Sequence, residues 1–479
     1  MAKVTLINPN HMRPPISPLA LDYLAESLTS AGHQVGILDL CFSKDWRKDI
    51  RAWFMHDQSD VIGLTIRNTD DCYFASQDFF IPYYADVVAE IRSKTEAPIV
   101  LGGAGFSVAP AAILKVSKAD YGIVGDGEMA FSLLASRLER GEDASDIPGL
   151  VHRQANGVIK NSPVWMDMAN LPLQSRGWVD NGRYFVEGGQ LGLETKRGCE
   201  GKCIYCADPL SKGKACRLRP PSHVVKEIKG LLDQGIDCYH LCDSEFNMPL
   251  YHAEAICREI IDFGLGDRIR WYTYASPVPF TEELASLMKK AGCQGIDFGA
   301  DHGDDAVLRS LGRDFTRDDL RRTAEICHRY DITFMYDLLI GGPGETFDSV
   351  TKAISLMKEI QPHRVGISVG VRIYDGTLLS HLIRRDGLTR SNPALCGHVE
   401  RNPDLMRPIY YLSPAVGIEV VDFISELVSD DPRFLHASRD QNESNYNYND
   451  NTVLEDAIAR GYQGAYWDIL RKIQDGIPP

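Results

Sequence analysis

The chain has 479 residues, 51 of them Lys or Arg and 66 Asp or Glu, for a formal net charge of −15. Hydrophobic residues make up 44% and charged residues 24%, which excludes a disordered, collagen-like or low-complexity chain. The length asks for two or three domains, and the acidic balance argues against a general binder of nucleic acid or anionic membrane.

Met1-Ala2-Lys3 leads into Val4-Thr5-Leu6-Ile7 and then Asn8-Pro9-Asn10, too short an apolar run for a secretory signal. The longest charge-free stretch, 98–114, is punctuated by Gly102, Gly103, Gly105 and Pro110, as a membrane helix would not be. Twelve cysteines without an export signal point to reduced thiols and a metal site in a cytoplasmic protein.

In residues 1–145 the patterning predicts strands at 4–8, 35–40, 61–66, 99–101 and 121–124, and helices at 19–31, 45–56, 77–94 and 128–140. In the first helix Leu19, Leu21, Leu24 and Leu28 recur at helical spacing. Such alternation implies an α/β, doubly wound, Rossmann-like domain whose ligand binds at the strands' carboxyl ends. Those ends carry Asn8-Pro9-Asn10, Arg67-Asn68-Thr69-Asp70, Gly102-Gly103-Ala104-Gly105 and Gly125-Asp126-Gly127-Glu128. Glycines there admit a bulky cofactor, or equally make tight strand-to-helix turns. Asn156-Gly157 between apolar runs predicts a hairpin, and residues 146–189 read as hairpin and linker.

Cys199, Cys203 and Cys206 form C-x3-C-x2-C. Three such soft ligands suit one face of a cubane iron–sulfur cluster and leave one iron open. Zinc is the alternative and would need a fourth ligand, for which Cys216 is the near candidate. Cys238, His240 and Cys242 share one face of a predicted strand and read as core.

The three-cysteine motif resembles that of the radical SAM enzymes, and later segments match the same barrel in order: 241–247, 295–301, 307–313, 338–346 and 372–378. The resemblance covers residues 190–380 and implies a partial (β/α)6, TIM-type barrel. It also implies a [4Fe-4S] cluster whose open iron is chelated by S-adenosyl-L-methionine (SAM). Tyr205 would then pack near the adenine, and Asp243 or Glu245 would hold the methionine ammonium, Glu245 alternatively approaching the open iron. Asp301 would reach the ribose, although Asp301-His302 replaces the family's Glu-Ser. In Gly341-Gly342-Pro343-Gly344-Glu345-Thr346, Gly341 and Gly342 would let backbone groups reach the adenine, and Glu345, starting the next helix, would belong to the same SAM site.

An open α/β domain before such a barrel resembles the cobalamin-binding class of these enzymes. The match rests on Asn8-Pro9, Pro18-Leu19-Ala20-Leu21, Gly32-His33-Gln34-Val35, Gly102-Gly103 and Gly125-Asp126-Gly127-Glu128. The resemblance implies that Asn8, Arg67, Gly102, Gly103, Gly125, Asp126 and Glu128 surround the corrin. Arg67 would face its lower side and, with Glu245, act in catalysis; pairing of Arg67 with Asp70 or Asp71 is the alternative.

Residues 381–479 read as a small, mainly helical cap without barrel strands, in which Tyr446, Tyr448 and Tyr466 would stack on a planar substrate, or else form an Asn-rich loop and an ordinary core helix. The resemblance as a whole implies a radical SAM C-methyltransferase, passing a methyl group from SAM through methylcobalamin to carbon of a small molecule or natural-product intermediate. A heteroaromatic ring is one such acceptor. An external electron donor of flavodoxin or ferredoxin type is implied, with no nucleic-acid or membrane partner. Radical cyclisation or rearrangement, and a non-catalytic cobalamin or iron–sulfur regulator, stay open.

Overall fold

The computed structural model describes residues 1–155, 157–436 and 450–479. Strands Lys3–Asn8, Gln34–Asp39, Val61–Thr65, Ile99–Gly102 and Tyr121–Ile123 form a parallel sheet in which the chain starts near one edge and crosses over once. Neighbouring residues of one strand serve opposite faces. Ile7 packs with Val87 and Ile91 on one side, and Leu6 with Leu21 and Leu134 on the other. Two covered faces explain why these strands are apolar throughout.

The hairpin strands Leu150–Gln154 and Gly157–Lys160 extend this sheet antiparallel beyond Tyr121–Ile123. Residues read as hairpin and linker therefore belong in part to the first sheet, because Leu150 and Val151 complete its two cores.

The second sheet is parallel and runs Leu191–Leu193, Cys238–Leu241, Arg270–Ala275, Cys293–Asp301, Thr333–Ile340, Arg364–Val369 and Phe434–His436. The last strand corrects the expectation that the C-terminal region adds none: three residues are too few to show a periodicity.

Helix Tyr466–Gln474 closes the amino-terminal end of the barrel. The Trp467 ring lies where a Gly295 Cβ would be 3.0 Å from it, and Asp468 accepts a 2.8 Å hydrogen bond from the Tyr272 hydroxyl. Tyr466 is buried with Leu454, Ile458 and Ile469. It belongs to the core at the end of the barrel opposite the mouth, which corrects the substrate-stacking expectation; Tyr446 and Tyr448 lie outside the described residues.

A buried ion lattice joins the two sheets. Arg176 pairs with Asp22 at 2.9 Å and with Glu227 at 2.8 Å, and Arg219 pairs with Glu227 at 2.7 Å. Asp22 belongs to helix Leu19–Ser30 and Glu227 to barrel helix Pro221–Asp233. Mutual pairing offsets the cost of removing these charges from water and fixes one docking geometry. No helix among the described residues is long and apolar enough to cross a membrane.

Candidate active site

The cysteine loop leaves the short strand Lys196–Arg197, which pairs antiparallel with Arg217–Leu218. Gly198 has φ +89°, and a Cβ there would lie 2.0 Å from the Ala215 carbonyl oxygen, so the turn requires glycine. Asp243 anchors the segment from outside: it accepts from the Thr195 N–H at 2.8 Å, the Lys196 N–H at 3.2 Å and the Thr195 hydroxyl. Buried at 1% exposure and saturated with donors, Asp243 positions the loop. That corrects its assignment to the SAM ammonium.

Cys199 and Cys203 turn their thiols to one point: a Cβ on Gly201 would stand 3.2 Å from Cys199 Sγ and 3.8 Å from Cys203 Sγ. Cys206 lies within electrostatic range of both. Burial pushes all three thiols above their ordinary pKa, so a bound cation is what stabilises their thiolate form. Three thiols on one loop suit a cubane, each thiolate taking a different corner, whereas tetrahedral zinc needs a fourth ligand. Cys216, the candidate fourth zinc ligand, instead turns its thiol to the carbonyls of Gly198 and Met248.

Around the thiols stand Arg313, Glu245, Asp301 and Tyr205. The Arg313 guanidinium donates to Cys203 Sγ at 2.8 Å and to the Gly299 carbonyl at 2.6 Å, and it lies 3.5 Å from Asp301 and 3.8 Å from Glu245. Tyr205 donates its hydroxyl to Asp301 at 2.5 Å. Burial raises the Glu245 carboxyl to about 7, against the pull of Arg313, and its Oε2 has no partner. Arg313, which the sequence offers only as part of the barrel-matching segment 307–313, is brought to the thiols by the fold.

Other expected SAM contacts are spent on packing, and each is a correction. Glu345 is fully buried, accepts from the Ser349 hydroxyl and the Gly341 N–H, and lies 3.1 Å from His302 Nε2. A Cβ on Gly341 would meet Leu412, and one on Gly342 would meet Leu311. The Gly341-Gly342 turn thus lets side chains close over the barrel strand end rather than exposing backbone.

A cavity of about 360 Å³ separates the carboxyl edges of the two sheets. Asn8, Asn10, Arg67, Gly102, Gly103, Gly125, Asp126 and Glu128 line it from the first sheet, and Glu194, Arg197, Lys212 and Cys242 from the barrel side. Its deep arm runs between sheet and helices to Gly63 and Phe131. An apolar depth with a polar mouth fits a corrinoid, whose flat ring carries an amide fringe. The buried, unpartnered Asn10 Nδ2 and Glu128 Oε2 are the groups such a fringe satisfies. Cys242, read as core, opens into this cavity.

Asn8 holds the strand end, donating at 2.9 Å to both Asp39 and the Tyr184 hydroxyl. Asp126 and Glu128 reach across the gap: Arg197 pairs with Asp126 at 3.1 Å, Glu128 at 2.7 Å and Glu194 at 2.9 Å, and Arg217 also binds Asp126. The acidic loop of the first sheet is thereby tied to the residue two before Cys199. Asp70 pairs with Arg372 at 2.9 Å, so it is not reserved for Arg67.

The Radical SAM superfamily profile matches residues 193–357, and the B12 binding domain profile residues 10–135. Tryptophan 2-C-methyltransferase of Streptomyces laurentii is 31% identical, covering 97% of this chain and 95% of that protein. Two structures of the radical S-adenosylmethionine methyltransferase TsrM from Kitasatospora setae each match 100% of this chain and 98% of theirs. The one with tryptophan and a SAM analogue bound has a TM-score of 0.94 and 29% identity, and the one with cobalamin and a [4Fe-4S] cluster bound has 0.90 and 28%.

Proposed function

Given that the chain belongs to the cobalamin-binding radical SAM methyltransferases, we propose that its substrate is an indole-bearing amino acid of the tryptophan type, methylated on a ring carbon. The family assignment makes it a C-methyltransferase of a small molecule, with [4Fe-4S], SAM and cobalamin as cofactors. The single observation that carries the substrate reading is similarity over nearly the whole chain to enzymes named for tryptophan, C-terminal region included.

When bound, cobalamin supplies a transferable methyl group, and the cluster with SAM supplies the second reactive centre. The protein's own part is positioning. Cys199, Cys203 and Cys206 hold the cluster, and Glu245 accepts from the methionine ammonium or approaches the open iron. Asp301, aligned by Tyr205 and Arg313, receives the ribose. Arg67 on the cavity wall sets a positive charge that opposes further positive charge on the group held there, favouring release of a methyl group as a cation. Gly102, Gly103 and Gly125 give the corrin its backbone floor.

Inside the barrel Asp297, on the strand Cys293–Asp301, shares a hydrogen bond with Asp337; burial and then the Asp337 charge hold its carboxyl well above the ordinary range. A protonated and an ionised carboxyl side by side offer acceptors for an ammonium or an indole N–H. The twelve cysteines include no disulfide, in keeping with a reducing, cytoplasmic setting that supplies electrons through a flavodoxin- or ferredoxin-type donor.

The test is incubation of anaerobically reconstituted enzyme with methyl-labelled SAM and tryptophan. We expect singly methylated tryptophan carrying the label on the ring. Unlabelled, rearranged product would replace the reading by radical cyclisation or rearrangement. Neither methyl transfer nor SAM cleavage under strong reduction would leave a non-catalytic carrier.

A further inference from the structure

Lys196 is buried to 2% exposure on the strand that delivers the cysteine loop. Its Nζ has no hydrogen-bond partner, and no described carboxylate stands within ion-pair distance of it. Two acids stand nearby, neither within ion-pair distance of it. Asp208 binds Lys212 at 3.0 Å and the Ser244 hydroxyl at 2.5 Å, and Glu245 leans on Arg313. An ammonium removed from water with neither counter-ion nor acceptor is strongly unfavourable. Such a group is a liability unless an anion arrives beside it.

The surroundings say where that anion sits. Lys196 lies within electrostatic range of Cys199, Cys216, Glu245 and Asp208, and its strand runs directly into the cysteine loop, so the buried ammonium borders the pocket that this loop encloses. A dicationic [4Fe-4S] core held by three thiolates carries one net negative charge, and reduction adds another. We infer that Lys196 is the buried counter-charge of the iron–sulfur cluster, a positioning residue that completes the site when the cluster is loaded and favours its reduced state. The inference rests on the family reading only in taking Cys199, Cys203 and Cys206 to hold a cubane.

The electrostatic consequence has a sign that packing does not share. Replacing an unpaired buried ammonium by an apolar side chain of similar length stabilises the cluster-free protein, yet it removes the charge that favours an added electron. The Lys196→Met and Lys196→Arg variants, each with cobalamin supplied, are compared with wild type. The readouts are thermal melting before iron loading, EPR-monitored reductive titration of the SAM-free holoenzyme, and calorimetric SAM binding. Expected are a higher melting temperature for cluster-free Lys196→Met, a more negative cluster midpoint potential in its holoenzyme, and recovery of the potential in Lys196→Arg.

A wild-type potential in Lys196→Met overturns the inference. If SAM binding then weakens, the anion is the methionine carboxylate; if melting falls instead, the side chain only packs. Failure of the cluster to assemble in wild type would sink the cubane reading, a result distinct from an unchanged potential in a loaded variant.

Discussion

The carboxyl edges of the two sheets are made of opposite materials. The first is mostly glycine and backbone around one cation, Arg67: Gly102, Gly103, Gly125 and Gly127 surround the cavity, and the acids of its last loop, Asp126 and Glu128, are turned toward the barrel's arginines. The second is sulfur and charge, with three thiols, Arg313, Glu245 and Asp301 crowded together and Lys196 within electrostatic range. One edge makes a shape and the other makes a field. A shape is destroyed by adding atoms, whereas a field is destroyed by removing them.

The largest break lies on the second edge. Substituting Cys199, Cys203 and Cys206 together by Ala should abolish methyl transfer and bring bound iron and sulfide to zero while cobalamin still binds; iron analysis beside the corrin spectrum checks both. Next comes the link between the edges. Arg197→Met removes the cation paired with Glu128 and Glu194 and leaves Asp126 to Arg217 alone, and removing one partner of such a lattice costs about 3–5 kcal/mol. Urea unfolding of the cluster-free variant should show that loss; a midpoint equal to wild type would mean that the edges are not coupled through Arg197.

The contrast also explains what the sequence could reveal. The cysteines were legible because ligand spacing is local and one loop carries all three. The parallel strands were legible because burial on both faces leaves an apolar run. Asp243 and Glu345 were misassigned because an acid after a barrel strand looks the same in sequence whether it meets a ligand or, as here, Thr195 or Ser349. Phe434–His436 was too short to announce itself. Lys196 carried no signal at all, since only burial without a partner distinguishes it from any other lysine.

A smaller effect sharpens the second edge by pH. Burial raises the Glu245 carboxyl from 4.5 to about 7, so between those values the unfolded chain holds fewer protons than the folded one. Stability of the cluster-free protein therefore falls as pH rises through that window, by about 3 kcal/mol at most. Glu245→Gln should flatten the dependence, measured as urea midpoints at about pH 5 and about pH 8. Equal slopes in variant and wild type would place the carboxyl in contact with water.

The smallest effect sharpens the first edge. Gly102 borders the cavity, and a Cβ there has no neighbour closer than the Ile123 carbonyl oxygen at 4.0 Å, so the fold tolerates a side chain that the cofactor would not. Overpacking of about 1–3 kcal/mol corresponds to about 5- to 150-fold weaker binding, and Gly102→Leu should lose cobalamin affinity by that factor in equilibrium dialysis while keeping its iron. Gly103 is the internal control. Its φ of +98° and a Cβ only 2.6 Å from the Ile66 oxygen mean that Gly103→Ala strains the fold itself, so melting temperature and cobalamin fall together. If Gly102→Leu behaved like Gly103→Ala, the floor of the cavity would be a turn that folding requires, and its openness to a ligand would be incidental.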